Sequence, residues 1–286
     1  MPSILVLDTI DKRQLNPRRT RRQESRAHPK ETSMTADQRH KGNAGFISDD
    51  RIGPSPKPID ASVIARYKKL NDATGTISDI LDAKGIRGTI GASRLRPSIA
   101  SATIVGRAVT VRNTPQPSDP YAAVSGNDNL MCEVEGIHQA DAGDVLVIQG
   151  LEDISNMGGI MATIATRQKL AGAVVDGGVR DIGHSRKLGF PIWSKDISPI
   201  TGKWRCVTQE INGTVEVFGV SVSPGDLVVC DETGICFVPH DLILEVLELS
   251  EAADAKEVEW VEKLDAGLSI PDLVKRIYAK FPHQPK

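Results

Sequence analysis

The 286-residue sequence has few aromatic residues, few cysteines and no long apolar run. Aromatic residues make up only 4% of the chain, and the formal charge of -2 shows no excess of basic residues for contact with nucleic acid. No segment approaches the roughly 18 apolar residues that a membrane helix requires. The composition therefore predicts a soluble globular protein that binds neither a membrane nor nucleic acid.

The four cysteines predict neither a zinc site nor a disulfide framework. Cys132, Cys206, Cys230 and Cys236 include no CxxC pair and show no ligand-like spacing to histidine. We interpret them as buried or neutral thiols in a reducing compartment, which favours a cytoplasmic location.

The first 58 residues differ in composition from the rest. An arginine run at 18–22 stands among polar residues, and the proline-rich stretch 53–58 is typical of an extended linker. We predict that residues 1–58 are a disordered leader and linker and that residues 59–286 form an α/β domain with C-terminal helices. The leader lacks the apolar core of a secretory signal. Met34 is an alternative start, and the arginine run is an alternative site for an anionic partner.

Helix and strand patterns alternate after the linker. The predicted elements are helices at 62–70 and 76–84, strands at 102–105, 108–111 and 144–148, a helix at 156–170, a strand at 173–175, a helix at 182–188 and a strand at 190–193. Such alternation predicts βαβ units around a central sheet. Short strand patterns at 214–222, 227–230 and 235–238 then indicate a small β portion, and an acidic helix at about 241–266 and a shorter one after Pro271 follow.

The most informative stretch is Gly172–Asp181, where an apolar strand ends in Asp-Gly-Gly-Val-Arg-Asp. Open α/β folds bind ligands beyond the carboxyl ends of such buried strands. Arg180 offers a planar fork that matches a carboxylate, and Asp181 offers a hard oxygen ligand suited to Mg²⁺ or Mn²⁺. We expect these neighbouring side chains to point in different directions, one to each ligand. The alternative is an aspartate that stabilises a helix N-terminus beside a surface arginine.

A glycine pair one helix upstream is a second candidate. Gly158 and Gly159 precede a helix, so the N–H groups of Gly159, Ile160 and Met161 are predicted donors to an anionic group. The alternative is an ordinary helix capped by a serine or asparagine upstream.

These residues resemble the family of 4-hydroxy-4-methyl-2-oxoglutarate aldolase and regulator of ribonuclease E activity A. Further matching motifs are Thr76-Ile-Ser-Asp-Ile-Leu-Asp-Ala, Val105-Gly-Arg-Ala-Val-Thr-Val, Ala142-Gly-Asp-Val-Leu-Val and Gly225-Asp-Leu-Val-Val-Cys-Asp-Glu-Thr-Gly. The resemblance spans about residues 60–267. It implies an α/β/α sandwich with a swivelling-domain-like core and an added small β portion, assembled as a homotrimer or a dimer of trimers with sites between subunits.

The resemblance also implies residue roles. Asp181 would hold Mg²⁺ or Mn²⁺, Arg180 would bind the pyruvyl part of a small-molecule 2-oxo acid, and Gly158–Met161 would supply backbone donors. Glu257 matches a glutamate that a neighbouring subunit's C-terminal helix contributes to the metal site. One departure stands out, because the aldolases carry an aspartate where this chain has Gly159. That aspartate would orient metal-bound water.

We therefore expect a divalent-metal-dependent lyase that forms pyruvate by retro-aldol cleavage of a 4-hydroxy-4-methyl-2-oxoglutarate-type acid, by decarboxylation of oxaloacetate, or by both. One alternative is a metal enzyme that dehydrates or hydrolyses a related acid, and another is a non-catalytic regulator that binds another protein. A Schiff-base aldolase would need a desolvated lysine, for which Lys195 is the candidate. His184 is expected to have a structural role, and the 201–205 cluster either contacts substrate or forms a solvated loop.

Overall fold

A nine-stranded sheet organises residues 41–277, the part of the chain that the computed structural model describes. The strands of this part are β1 (Thr89–Gly91), β2 (Arg96–Pro97), β3 (Ile104–Pro115), β4 (Val145–Gln149), β5 (Gly172–Val179), β6 (Ile192–Ile197), β7 (Cys206–Ile211), β8 (Val215–Val217), β9 (Val220–Val222), β10 (Leu227–Cys230) and β11 (Gly234–Val238). Its helices are α1 (Ala61–Tyr67), α2 (Ala73–Ala83), α3 (Pro120–Gly126), α4 (Glu133–Gln139), α5 (Gly159–Arg167), α6 (Ile182–Leu188), α7 (Ile243–Asp265) and α8 (Ile270–Ile277).

The sheet runs in the order β1-β11-β10-β3-β4-β5-β6-β2, with β7 also paired to β3. Strands β3, β4, β5 and β6 are parallel, whereas β1, β11 and β10 extend the sheet from β3 in antiparallel fashion. A separate hairpin contains β8 and β9. The carboxyl ends of the parallel strands therefore meet at one edge of the sheet, the place where open α/β folds form ligand sites.

Alternate residues of the central strands face different layers. Leu146 and Ile148 of β4 pack in the cluster that contains α4, α5 and α6, while Val145 and Val147 pack in the cluster that contains the β8–β9 hairpin. A third cluster joins α1, α2 and α7 to β10 and β11. The helices and the small β portion thus cover different parts of one sheet.

The predicted alternation of strands and helices is confirmed, and α6 has its predicted bounds. The strands expected at 102–105 and 108–111 are one strand, β3, because Gly106 allows a close approach rather than a turn. A Cβ there would lie 2.2 Å from the Gly143 carbonyl oxygen. The sequence pattern does not predict α4, whose buried positions include Glu133 and Glu135 in place of apolar residues.

The described part of the predicted leader packs on the domain. Ile47 and Ile52 are buried, and the Gly53 N–H donates to the Ile211 carbonyl at 2.8 Å. The folded region therefore begins before the predicted boundary at residue 58. The remaining leader, 1–40, lies outside the described residues together with its arginine run and Met34.

Two further sequence interpretations concern the cysteines and the possibility of a membrane span. All four cysteines are free and buried, and burial raises the pKa of every thiol, so they are neutral at physiological pH. Between residues 41 and 277, no helix has both the length and the apolar composition of a membrane span.

Leu146→Ala should lower the free energy of unfolding by about 2–5 kcal/mol, because this fully buried side chain fills the space between β4 and the helices. Urea denaturation measures the change. Leu244→Ala is the matched control, since Leu244 on α7 is 51% exposed. Equal losses for the two variants would contradict the assigned core.

Candidate active site

A loop at residues 150–156 crosses the carboxyl end of β5 and leaves no room for side chains there. A Cβ on Gly177 would lie 2.5 Å from Asn156 Nδ2, and a Cβ on Gly178 would lie 2.5 Å from the Ile154 carbonyl oxygen. Both contacts are far shorter than real Cβ contacts. The glycine pair in Asp-Gly-Gly-Val-Arg-Asp is therefore required by this close backbone approach.

The Asn156 side chain holds the crossing loop in place. Asn156 is fully buried, and its Nδ2 donates to the carbonyls of Leu151 and Ile154 at 2.8 and 3.1 Å. Its Oδ1 accepts the Leu151 N–H at 3.0 Å, and its backbone N–H donates to the Gly178 carbonyl at 2.7 Å. A buried amide with its polar atoms satisfied fixes the surrounding backbone. The start of α5 consequently has a defined position beside the end of β5.

Arg180 and Asp181 turn toward the same point. Asp181 has φ 57° and ψ 34°, a left-handed conformation that residues other than glycine seldom adopt. Asp181 Oδ2 lies 3.6 Å from Arg180 Nε. The expectation that the two side chains point apart is wrong, because it assumed helical geometry for both, whereas Asp181 precedes α6 in the left-handed region.

The Asp181 carboxylate caps α5 from outside that helix. Its Oδ2 accepts the Gly159 N–H at 2.9 Å, while the N-cap residue Gly158 has no side chain to offer. One predicted donor is thus already bound by the protein's own carboxylate. Ile160 and Met161 follow in the first turn of α5, where backbone N–H groups have no intrahelical partner. The Ile160 and Met161 N–H groups are therefore the predicted donors that the helix itself leaves without a partner.

Both glycines of the pair pack closely against the charged pair. A Cβ on Gly158 would lie 3.1 Å from Arg180 Nε and from Asp181 Oδ2. A Cβ on Gly159 would lie 3.2 Å from Asp181 Cβ and from His184 Cδ2. A side chain at position 159 would require these two neighbours to shift by a few tenths of an ångström. The departure from the pattern is therefore part of how this site is packed.

His184 lies beside the start of α5 and contacts Thr163 of that helix. Its Nε2 lies 2.9 Å from Thr163 Oγ1, which in turn donates to the Gly159 carbonyl at 2.8 Å. Because the threonine proton is committed to that carbonyl, the network assigns Nε2 as the donor. Gly159, Ile160, Asp181 and His184 line a shallow, open depression of about 540 Å³. These hydrogen bonds fit the structural role expected for His184.

Glu133 is a buried acid that sequence reasoning missed. It is the first residue of α4 and is only 9% exposed. Burial raises the pKa of Glu133 to about 7. The positive charges of Lys203 and Arg180 lower this pKa, but by less than burial raises it. The Lys203 loop is tied to the site, since the Gly202 N–H donates to the Ser155 carbonyl at 3.1 Å. A glutamate in a short helix gives no sequence signal of burial, because this residue type is mostly exposed.

The described residues offer a divalent cation one carboxylate rather than a complete cage. Within residues 41–277, no three or more His, Cys, Asp or Glu side chains are grouped to hold a metal ion. Asp181 is 51% exposed, and its Oδ2 carries the bond to Gly159, which leaves Oδ1 for a ligand. Mg²⁺ is commonly bound by one or two carboxylates and several waters, so Asp181 fits this ion.

Two other candidates lie in different surroundings. Burial and the carboxylates of Asp254 and Asp72 raise the pKa of Glu257, which therefore sits among acids of its own α2–α7 region. A role at Asp181 would require α7 of another copy. Lys195 forms an ion pair with Glu152, and its Nζ lies 5.0 Å from the Phe218 ring centroid. The Lys195 amine is thus engaged by a carboxylate rather than enclosed in an apolar pocket, the setting that Schiff-base chemistry needs.

Two glycines of the site are expected to respond differently to alanine. Gly183→Ala on α6 should raise the free energy of unfolding by about 0.5–1 kcal/mol, because a Cβ there meets nothing within 4 Å and alanine favours a helix. Gly159→Ala should show no such gain, because its Cβ would press on Asp181 and His184. Thermal and urea unfolding of both variants provide the comparison. Equal stabilisation would contradict the packing described at Gly159.

Comparison with known proteins gives a family match. The RraA-like family model, described as Aldolase/RraA, matches residues 74–237. A Halalkalibacterium halodurans protein provisionally named 4-hydroxy-4-methyl-2-oxoglutarate aldolase is 31% identical over 186 residues, which cover 64% of this chain and 80% of that protein. Protein DlpA of Legionella pneumophila is 28% identical over 80% of this chain, which spans only 36% of DlpA.

Solved structures agree with this match. A Pseudomonas syringae protein of uncharacterized function is 27% identical with a TM-score of 0.64, over 76% of this chain and 98% of its own. RraAS2 of Streptomyces coelicolor, titled an unusual member of the RNase ES inhibitor RraA family, is 25% identical with a TM-score of 0.58, over 72% and 98%. The predicted α/β fold class is confirmed. Because the matched residues include most of the sheet, the glycine loop and the Arg180–Asp181 pair, the chain belongs to the RraA-like family.

Proposed function

We propose that this chain is a divalent-metal-dependent lyase that releases pyruvate from a small 2-oxo acid. The reaction is retro-aldol cleavage of a 4-hydroxy-4-methyl-2-oxoglutarate-type acid, decarboxylation of oxaloacetate, or both. The observation that carries the proposal is the convergence of Arg180 and Asp181 on the start of α5, with Asp181 in a strained backbone conformation. Such strain is typical of functional sites. The relative named as an aldolase supports the same reaction class.

Asp181 is the proposed ligand of Mg²⁺ or Mn²⁺. Its hydrogen bond from the Gly159 N–H orients the carboxylate and leaves Oδ1 toward the open depression. A bound ion supplies Lewis-acid polarisation of the substrate's keto oxygen. Glu257 from the α7 helix of a neighbouring copy is the proposed second carboxylate.

Arg180 and the start of α5 are proposed to hold the substrate. In this proposal the Arg180 guanidinium binds the substrate carboxylate through charge-assisted hydrogen bonds, and the Ile160 and Met161 N–H groups in the first turn of α5 are the backbone donors. As the carbon–carbon bond breaks, negative charge moves onto the keto oxygen, where the arginine and the helix N-terminus stabilise it. In aldol cleavage, a water in the depression accepts the substrate hydroxyl proton, and a proton returns to carbon to give pyruvate.

A metal enzyme with another reaction is the second candidate. Gly159 favours it, because this chain lacks the carboxylate that would orient metal-bound water in the aldolase pattern. Dehydration or hydrolysis of a related acid uses the same clamp and the same cation. Substrate assays separate the two reactions.

We infer that the C-terminal helices bind another copy of the chain, which gives a homotrimer or a dimer of trimers. The last buried residue of α7 is Ala253, and an apolar surface continues beyond it on both helices. Its exposed side chains are Val258, Val261, Leu264, Ile270 and Val274. Exposed apolar side chains that recur along two consecutive helices are typical of a contact site. This contact would also bring Glu257 to a neighbour.

Asp181→Ala should abolish pyruvate formation and weaken Mn²⁺ binding by at least about tenfold, because the variant loses the charged oxygen ligand. A lactate dehydrogenase-coupled assay and titration calorimetry with Mn²⁺ measure the two effects. Asp241→Ala is the matched control. The Asp241 side chain is 85% exposed, and its ion-pair partner Lys57 has no role in the proposed site. Unchanged activity in Asp181→Ala would rule out the proposed metal ligand.

Val261→Asp should convert the assembly to monomers, because a carboxylate would be buried without a partner in the apolar contact. Light scattering after gel filtration measures the mass. Lys263→Asp, a charge change on the same helix outside this surface, should leave the mass unchanged. An unaltered mass for Val261→Asp would contradict the assigned contact.

A further inference from the structure

The depression at Asp181 continues along α6 to the last turn of that helix. Its lining residues come from the start of α5 and from α6 with its N-cap, and they are Gly159, Ile160, Asp181, Gly183, His184 and Lys187. Its volume of about 540 Å³ lies in the range that small-molecule ligands occupy. The proposed cation at Asp181 therefore occupies only one end of this space.

Lys187 brings positive charge to the other end. Among the six described residues that line the depression, Lys187 carries the one permanent positive charge. The residue is exposed, and neither a hydrogen bond nor an ion pair ties its ammonium group to another residue within 41–277. This charge is therefore available to a ligand in the depression.

A lysine in the last turn of a helix commonly serves the helix itself, through its C-terminal carbonyls. In α6 a glycine cap is already present, because Gly189 has φ 68° and its N–H donates to the Arg186 carbonyl at 3.1 Å. The Arg186 side chain is also engaged elsewhere, since its Nε donates to the Ser98 carbonyl at 2.7 Å. Of the two basic residues in this turn, Lys187 is the one that lines the depression.

The helix sets the distance between the two ends of the depression. Six residues of helical rise separate Asp181 from Lys187, which is about 9 Å. His184 and Lys187 are three residues apart and lie on the same face of α6. The flexible four-carbon stem of lysine lets the ammonium group reach back along this face. The span therefore suits an acid whose two carboxylates are joined by a short carbon chain.

We propose that Lys187 binds the second carboxylate of a dicarboxylic 2-oxo acid and so determines the specificity of the site. This inference rests on the proposed function, because it places the first carboxylate and the keto oxygen beside Arg180 and the cation of Asp181. The carbon chain then follows α6 past Gly183, where even an added Cβ would meet nothing within 4 Å. The distal carboxylate reaches the Lys187 ammonium. A monocarboxylic acid of equal length gains nothing from this lysine.

The test compares two acids that differ only in the distal group, because 2-oxoglutarate has a carboxylate where 2-oxopentanoate has a methyl group. Titration calorimetry at saturating Mg²⁺ measures the binding of each acid to the full chain. The wild type should bind 2-oxoglutarate about three- to fivefold more tightly, the effect expected of an ion pair near the surface. Lys187→Gln should reduce this preference to less than about twofold without changing the affinity for 2-oxopentanoate. Lys187→Glu should reverse the preference, because like charges repel.

Lys169→Gln is the matched control. Lys169 is an exposed lysine that follows α5 and does not line the depression, so its replacement removes the same charge from another place. This variant should keep the wild-type preference. Raising the salt concentration to about 0.5 M should weaken the preference of the wild type, because salt screens an exposed ion pair. Melting temperatures check that each variant folds.

The outcomes separate this inference from the lyase. A preference that persists in Lys187→Gln, a loss of equal size in Lys169→Gln, or a wild type that binds the two acids equally would overturn the role of Lys187 and leave the lyase intact. Lys187-dependent binding without pyruvate release from any substrate would overturn the lyase reaction alone. If the wild type binds neither acid at saturating Mg²⁺, the substrate clamp and the role of Lys187 are both wrong.

Discussion

The hydrogen bonds of the Asn156 side chain are the constraint on which the rest of the site depends. They hold a loop across the end of β5 so closely that only glycine fits beneath it at positions 177 and 178. Because the loop is fixed, α5 begins beside the end of β5. Asp181 can then cap α5 from a different element, with a hydrogen bond to the Gly159 N–H.

This arrangement also sets the electrostatics of the site. Arg180 and Lys203 bring positive charge to the edge of the parallel sheet, and Asp181 and Glu133 bring acids in different environments. Asp181 is half exposed and keeps an oxygen for a cation, whereas Glu133 is buried, and burial raises its pKa to about 7. Two acids with different solvation differ in how readily they ionise.

Much of the scaffold could be predicted from the sequence because its patterns are local. The β-branched runs of β4 and β10 and the apolar spacing of α6 define these elements without knowledge of the fold. The Arg180–Asp181 pair is likewise visible, since it follows a buried strand. The family match over residues 74–237 includes this pair.

The features that sequence could not give depend on contacts between distant residues. The left-handed backbone of Asp181 and its bond to Gly159 require the crossing loop, and periodicity carries no information about either. The sequence pattern does not predict helix α4, because Glu133 and Glu135 occupy buried positions where an apolar residue is expected. Position 159 shows the same limit: the motif reveals the glycine, but only the packing shows that a side chain there meets Asp181 and His184.

The most direct test of the account is a chelation and restoration assay on the wild-type chain. Pyruvate release from 4-hydroxy-4-methyl-2-oxoglutarate and from oxaloacetate is followed after removal of divalent cations and again during titration with Mg²⁺ or Mn²⁺. The account predicts no pyruvate above the uncatalysed rate without the cation and saturable recovery with it on at least one substrate. Activity that survives chelation, or no pyruvate from either substrate while Mn²⁺ still binds, would contradict the lyase.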